Sequence, residues 1–160
     1  MRQTRMRKLL EIGTGCAMTN GRFSSPELWR NLFPAIELWG ADFDEACIQK
    51  YSDRVHELKL NVLIGDQADI YVLQRWVNVS GGGFDVIIDD GGHTNMQMYN
   101  TFITMFDLAL KPGGVFFMED IQACRNNAYI GTSNVQYFAE CTRNICILRL
   151  NRWRWQAYNY

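Results

Sequence analysis

The sequence predicts an α/β domain: a doubly wound, mostly parallel sheet between two helical layers. Three observations predict it. Short apolar runs alternate with segments of helical character five times, the pattern of a parallel sheet with helices on both faces. The runs themselves carry few polar residues, as strands covered on both sides require. Every run also ends in acid, and right-handed crossovers would gather those acids along one edge. That edge, the carboxyl side of a three-layer, Rossmann-like sheet, is where such folds bind ligands, near the switch point of the strand order.

Each element has its own signal. "RKLLEIGTG" is an apolar run closed by a glycine turn, a first strand entering a loop. In "SSPELWRNLF", Ser25 is placed to cap a helix and Pro26 to occupy its first position. "AIELWGADF" reads as the second strand. "DEACIQKYSDRVHEL" reads as one helix capped by Asp44, with Ile48, Tyr51, Val55 and Leu58 on its apolar face. "LNVLIGD" is the third strand, "ADIYVLQRWV" a short helix and "FDVIIDD" the fourth strand. "NMQMYNTFITMFDLAL" is a helix stopped by "KPGG", and "VFFMED" is the fifth strand. Beyond it, "NVQYFAECTRN" reads as a helix and "ICILRL" as a sixth strand. The ending "NRWRWQAYNY" interleaves Arg with Trp and is atypical. Residues 1–160 are expected to form one domain, with a core at 8–122 and an atypical or incomplete part at 123–160.

Composition narrows the function. Of 160 residues, 48% are hydrophobic and 21% charged, and the net charge is −1, so no global field favours nucleic acid or a membrane surface. No apolar run approaches the roughly 20 residues of a membrane-spanning helix. The basic start "MRQTRMRKLL" lacks the apolar stretch and cleavage site of a signal peptide. The five cysteines (Cys16, Cys47, Cys124, Cys141 and Cys146) show no CxxC pair, and are expected to be reduced thiols in a cytoplasmic protein.

The strand ends carry the chemistry. Glu11, Gly13 and Gly15 follow the first strand, Asp42 and Asp44 the second, Asp66 the third, Asp89, Asp90 and His93 the fourth, and Glu119 and Asp120 the fifth. Adjacent carboxylates repel, and burial raises the cost of ionising them, so such a cluster suggests a cation, a proton-transfer site or plain solvation. A dinucleotide fingerprint would need a third glycine, but "GTGCAM" has Met18 there, which disfavours an NAD-dependent oxidoreductase.

Those residues resemble a known family. "LLEIGTG" is similar to the E/DxGxG motif of class I S-adenosylmethionine-dependent methyltransferases. "WGADFDEACIQKY" and "VLIGDQAD" resemble their second and third motifs. "FDVIIDDGGHTN" followed by "LKPGGVFFMEDI" resembles the metal-dependent branch that includes macrolide-sugar O-methyltransferases and the cephalosporin-hydroxylase-like family. The resemblance covers about residues 8 to 122. It implies that Glu11, Gly13, Gly15, Asp42, Asp66 and Asp89 hold S-adenosyl-L-methionine. It further implies that Asp90, Glu119 and Asp120 hold Mg²⁺, and that His93, with Asp90, serves catalysis as the base. The implied partner is a small-molecule acceptor, a sugar or natural product.

The physical chemistry agrees. A neutral alcohol is a poor nucleophile, a hard cation lowers the pKa of a bound hydroxyl, and oxygen ligands suit that cation. Asp89 has an alternative role as a cap for the following helix, and His93 as a helix-capping or loop residue. Family members carry helices before the first strand and further strands after the fifth. The chain therefore reads as truncated at both ends, with apolar sheet surface left for a second copy to cover. A non-catalytic module that binds S-adenosylmethionine is the rival reading.

Overall fold

The computed structural model describes residues 6–121, residue 123 and the backbone of the strands at 145–151 and 154–159. Seven strands form one sheet in the order β3-β2-β1-β4-β5-β6-β7. They are β1 (Lys8–Ile12), β2 (Glu37–Asp42), β3 (Asn61–Ile64), β4 (Phe84–Asp89), β5 (Leu110–Glu119), β6 (Ile145–Asn151) and β7 (Arg154–Asn159). β1 to β5 are parallel, while β6 runs antiparallel to β5, and β7 to β6. The chain winds outward from β1 to β3 on one side and then resumes at β4 on the other. The switch point therefore lies between β1 and β4, as the doubly wound reading requires.

Alternation along the strands builds two cores. Leu10 and Ile12 of β1, Ile87 of β4, and Phe116 and Met118 of β5 pack with Leu73, Trp76, Met98 and Met105 on one face. The last four come from α4 (Ile70–Ser80) and α5 (Asn95–Leu108). On the other face Leu9, Leu38, Leu60 and Ile88 pack with Phe23, Trp29 and Ile48, under α1 (Ser24–Leu32), α2 (Glu45–Lys50) and α3 (Ser52–Glu57). The result is the three-layer arrangement expected. Met98 and Met105 are core, whereas Met96 is exposed.

Several local expectations change. Helix α1 starts at Ser24 behind Phe23, not at a Ser25 cap; Phe23 takes a left-handed conformation (φ 54°) with its ring fully buried. Burial of the ring outweighs a side-chain cap there, and with the earlier start Pro26 is the third helical residue and not the first, within the turn where its missing N–H costs nothing. The single helix expected over 44–58 is two short helices broken at Tyr51. The break lets Tyr51 join Ile48 and Val55 at the same core while the Arg22 guanidinium covers its ring at 4.0 Å. Asp44 does cap α2, accepting from the Cys47 N–H at 2.9 Å.

"KPGG" does not precede β5 but lies inside it. Phe84 pairs with Leu110 and Val86 with Val115, so the extra residues bulge from the strand. The sixth strand falls where expected, and the Arg/Trp-rich ending supplies β7. The helix expected over "NVQYFAECTRN" lies outside the described residues.

Cys16 and Cys47 form a disulfide between the loop after β1 and α2. This corrects the expectation of five free thiols: spacing along the chain did not reveal two cysteines that the fold brings together. The expectation of a cytoplasmic location loses that support. Among the described residues, no helix is long and apolar enough to cross a membrane.

Asp85 pins the far end of the sheet, as its position at the start of the fourth strand suggests. It accepts from the backbone N–H groups of Arg7 and Lys8, both at 2.9 Å, and pairs with the Lys111 ammonium. Asp85→Ala should lower stability by about 2–3 kcal/mol, because two backbone donors lose a charged acceptor. Urea denaturation checks this, with Asp85→Asn expected to lose less.

Candidate functional site

The turn after β1 and the end of β4 meet through their backbones. The Asp90 N–H donates to the Ile12 carbonyl at 2.9 Å, and a methyl group on Gly13 would lie 2.1 Å from the Asp90 carbonyl oxygen. Gly13 also has a φ of +90°. Glycine is required there twice over, by space and by backbone conformation. The first-strand motif and the "IDDGGH" motif therefore form one structure.

Beside that contact opens a crevice of about 260 Å³, lined by Gly13, Asp42, Phe43, Asp66, Gln67 and Asp90 among others. Asp42 is held from two sides: Oδ2 accepts from the Thr14 hydroxyl and N–H, and Oδ1 from the Asp44 N–H at 3.0 Å. Asp66 is exposed and accepts from the Ala68 N–H at 2.8 Å. Four of the sequence-predicted residues, Gly13, Asp42, Asp66 and Asp90, thus share one wall-to-wall cavity.

A second group adjoins it. Asp90, His93 and Asp120 bring one ligand atom each within 4.8 Å of one another. His93 Nε2 lies 3.8 Å from Asp120 Oδ2. Asp120 adopts a left-handed conformation (φ 50°), which an Asp tolerates better than most residues. Burial raises the Asp90 carboxyl above its usual range, Asp120 adds like-charge repulsion, and His93 opposes both. Glu119 is outside the three-residue cluster but within its field: burial, then Asp90 and Asp120, push its carboxyl up. The mutually repelling carboxylates of Asp90 and Asp120, with Glu119 in their field, are oxygen donors of the kind a hard divalent cation relieves. The residues therefore fit a magnesium-type ion, and Asp90 belongs to both the crevice and the cluster.

The remaining predicted residues are placed differently. Glu11 and Asp89 are buried on opposite faces of the sheet and do not line the crevice, nor does Gly15. Burial pushes Glu11 up to about 7, with Asp90 and Glu119 adding to it, while Ser25 and Trp29 pull it down. Burial likewise pushes Asp89 up to about 7, against a hydrogen bond from Gln67. Asp89 does not cap α5. Thr94 does, in a capping box with Gln97, so neither Asp89 nor His93 is taken up by helix capping.

Among the crevice residues that the sequence did not single out are Phe43 and Gln67. Phe43, 77% exposed, offers an aromatic face beside Asp42. Its signal was an apolar residue between two strand-end acids. Gln67 is buried under the turn that carries Asp90 and His93. A glutamine beside an acid gives no signal of that kind.

No family model matches the chain. It is 31% identical over 121 residues to mycinamicin VI 2''-O-methyltransferase from Micromonospora griseorubida, covering 71% of this chain and 27% of that protein. It is 30% identical over 146 residues to 8-demethyl-8-(2-methoxy-alpha-L-rhamnosyl)-tetracenomycin-C 3'-O-methyltransferase from Streptomyces olivaceus, covering 89% of this chain and 34% of that protein. Among solved structures, MycE methyltransferase from the mycinamycin biosynthetic pathway, in complex with Mg, SAH and mycinamycin VI, matches with a TM-score of 0.65 and 29% identity. That match covers 79% of this chain and 31% of that one. The chain thus spans about a third or less of the relatives it matches. The resemblance to S-adenosylmethionine-dependent O-methyltransferases holds in sequence and in fold.

Glu11 makes a pH prediction. Its folded carboxyl holds a proton between its ordinary 4.5 and about 7, where the unfolded chain has released it. Folding is therefore penalised fully above about 7, and the penalty is relieved as pH falls through that window, by at most about 1.4 kcal/mol per pH unit. Glu11→Gln should raise the urea midpoint at pH values above that window and flatten its pH dependence within it. Paired denaturation curves of ligand-free protein across the window measure both effects.

Proposed function

We propose that this chain is the cofactor- and metal-binding part of an S-adenosylmethionine-dependent, Mg²⁺-assisted O-methyltransferase that acts on a hydroxyl of a small-molecule acceptor. The acceptor class suggested by the relatives is a sugar borne by a natural product. The observation that carries the reading is Asp90, one residue shared by the crevice and by the acid–histidine cluster. Such sharing sets a cation site beside a cofactor site, which a metal-assisted transfer needs and a nicotinamide site does not.

In this reading Asp42, fixed by Thr14 and Asp44, takes the ribose hydroxyls, and Asp66 lies by the base. Phe43 covers a flat ring with its own face. Gly13 and Gly15 let the turn approach the methionine portion, while Glu11 lies by Ser25 and Trp29 of α1 and Asp89 is held by Gln67 and the Gly91 N–H of the neighbouring turn. Asp90, Glu119 and Asp120 supply carboxylate oxygens to Mg²⁺. When bound, the ion supplies Lewis acidity that lowers the pKa of an acceptor hydroxyl, and the sulfonium supplies an activated methyl group. His93 receives the hydroxyl proton on its imidazole, and the Asp90 and Asp120 carboxylates stabilise the cation that results. The protein's remaining task is alignment of acceptor oxygen, methyl carbon and sulfur.

Calorimetric titration with S-adenosylmethionine and with Mg²⁺, followed by methyl transfer to glycosylated acceptors, tests the reading. Wild type should bind both. Asp90→Ala should weaken Mg²⁺ by more than about 100-fold, a larger loss than a supporting residue alone causes. It should abolish transfer. Folded wild type that binds no S-adenosylmethionine would sink the reading. Cofactor binding without transfer to any acceptor would leave a non-catalytic binding module in its place.

A further inference from the structure

The two sites are joined by a side chain to which the sequence motifs assign no role. Gln67 follows Asp66 at the end of β3 and is 5% exposed. Its amide donates from Nε2 to Asp89 Oδ1 at 2.9 Å and to Thr101 Oγ1 at 3.0 Å, and its Oε1 accepts from the Gly92 N–H at 2.7 Å. One buried amide thus bonds to the end of β4, to α5 and to the turn between Asp90 and His93, using nearly all of its hydrogen-bonding capacity.

The loop that carries Gln67 is itself fastened. Asn100 Nδ2 donates to the Ala68 carbonyl at 2.6 Å, and the Ala68 N–H donates to Asp66. Gln67 and Asp66 both line the crevice. From the other direction, the turn is seated directly on the amide: a methyl group on Gly91 would lie 2.1 Å from Gln67 Oε1. Gly91 has no positive φ, so its lack of a side chain serves this contact and not an unusual backbone. A ligand that fixes the Asp66–Gln67 loop therefore also fixes the turn whose two ends place Asp90 and His93.

We propose that Gln67 is a positioning residue that couples the two sites, so that occupation of the crevice tightens cation binding at Asp90. The inference rests on the functional reading above. By linkage the effect is reciprocal: the cation tightens the cofactor by the same factor. A purely structural Gln67 would instead lower stability, and weaken each ligand, without changing the ratio between affinities measured with and without the other ligand.

The test measures Mn²⁺ affinity of the full chain, with and without saturating S-adenosylhomocysteine, by calorimetry or by the signal of free Mn²⁺ in electron paramagnetic resonance. Wild type should show tightening of about fivefold or more, the usual lower range of coupling between sites. Gln67→Met, which keeps the volume but removes the amide, should bring that factor close to one. Gly91→Ala, which displaces the amide from the opposite side, should do the same. Cooperative thermal unfolding identifies which variants are folded, and either one alone decides the matter. Folded variants that keep the wild-type factor would overturn the proposal, as would a wild type that binds both ligands independently. Wild type that binds neither ligand would overturn the functional reading beneath it, and the coupling with it.

Discussion

The site depends on a backbone contact between two parallel strands' exits. β1 and β4 are neighbours in the sheet, so their following turns emerge side by side, and the Asp90 N–H closes onto the Ile12 carbonyl. Gly13 then passes within a methyl group's reach of the Asp90 carbonyl. Any side chain at Gly13 would separate the turns, and with them the crevice and the acid–histidine cluster. Topology supplies the adjacency; one glycine makes it close enough to matter.

Around that contact the acids divide by the direction in which each strand turns its side chains. Glu11 and Asp89 face inward on opposite sides of the sheet and are raised by burial into the neutral range. Asp42, Asp66 and Asp90 face the rim, where solvent, backbone N–H groups or a ligand can meet their charge. Hence the same residue type plays two parts. The inward pair is buried at some cost in stability, and in the proposed function the rim set does the binding. Asp90 sits at the boundary, close enough to Asp120 and His93 to answer their charges.

Much of this was legible in the sequence, because it follows from periodicity and from what ends each strand. Alternating strands and helices gave the parallel sheet, and Gly13, Asp42, Asp66 and Asp90 meet in one cavity as strand-end residues should. What could not be read depends on partners distant in the chain. The break at Tyr51 answers a core contact, the Phe23 conformation answers burial of its ring, and the Cys16–Cys47 disulfide needs a fold to bring the two residues together. Gln67 escaped for the same reason: its three partners lie on β4, its turn and α5, and nothing beside it in the sequence announces them.

The most direct measurement of the central claim, that one residue, Asp90, serves both a cofactor crevice and a cation site, is diffraction from crystals soaked with Mn²⁺ and S-adenosylhomocysteine. The account predicts an anomalous peak coordinated by Asp90 together with acids of the Glu119–Asp120 pair, and cofactor density in contact with Asp42. A peak away from Asp90, or cofactor density outside that crevice, would contradict it.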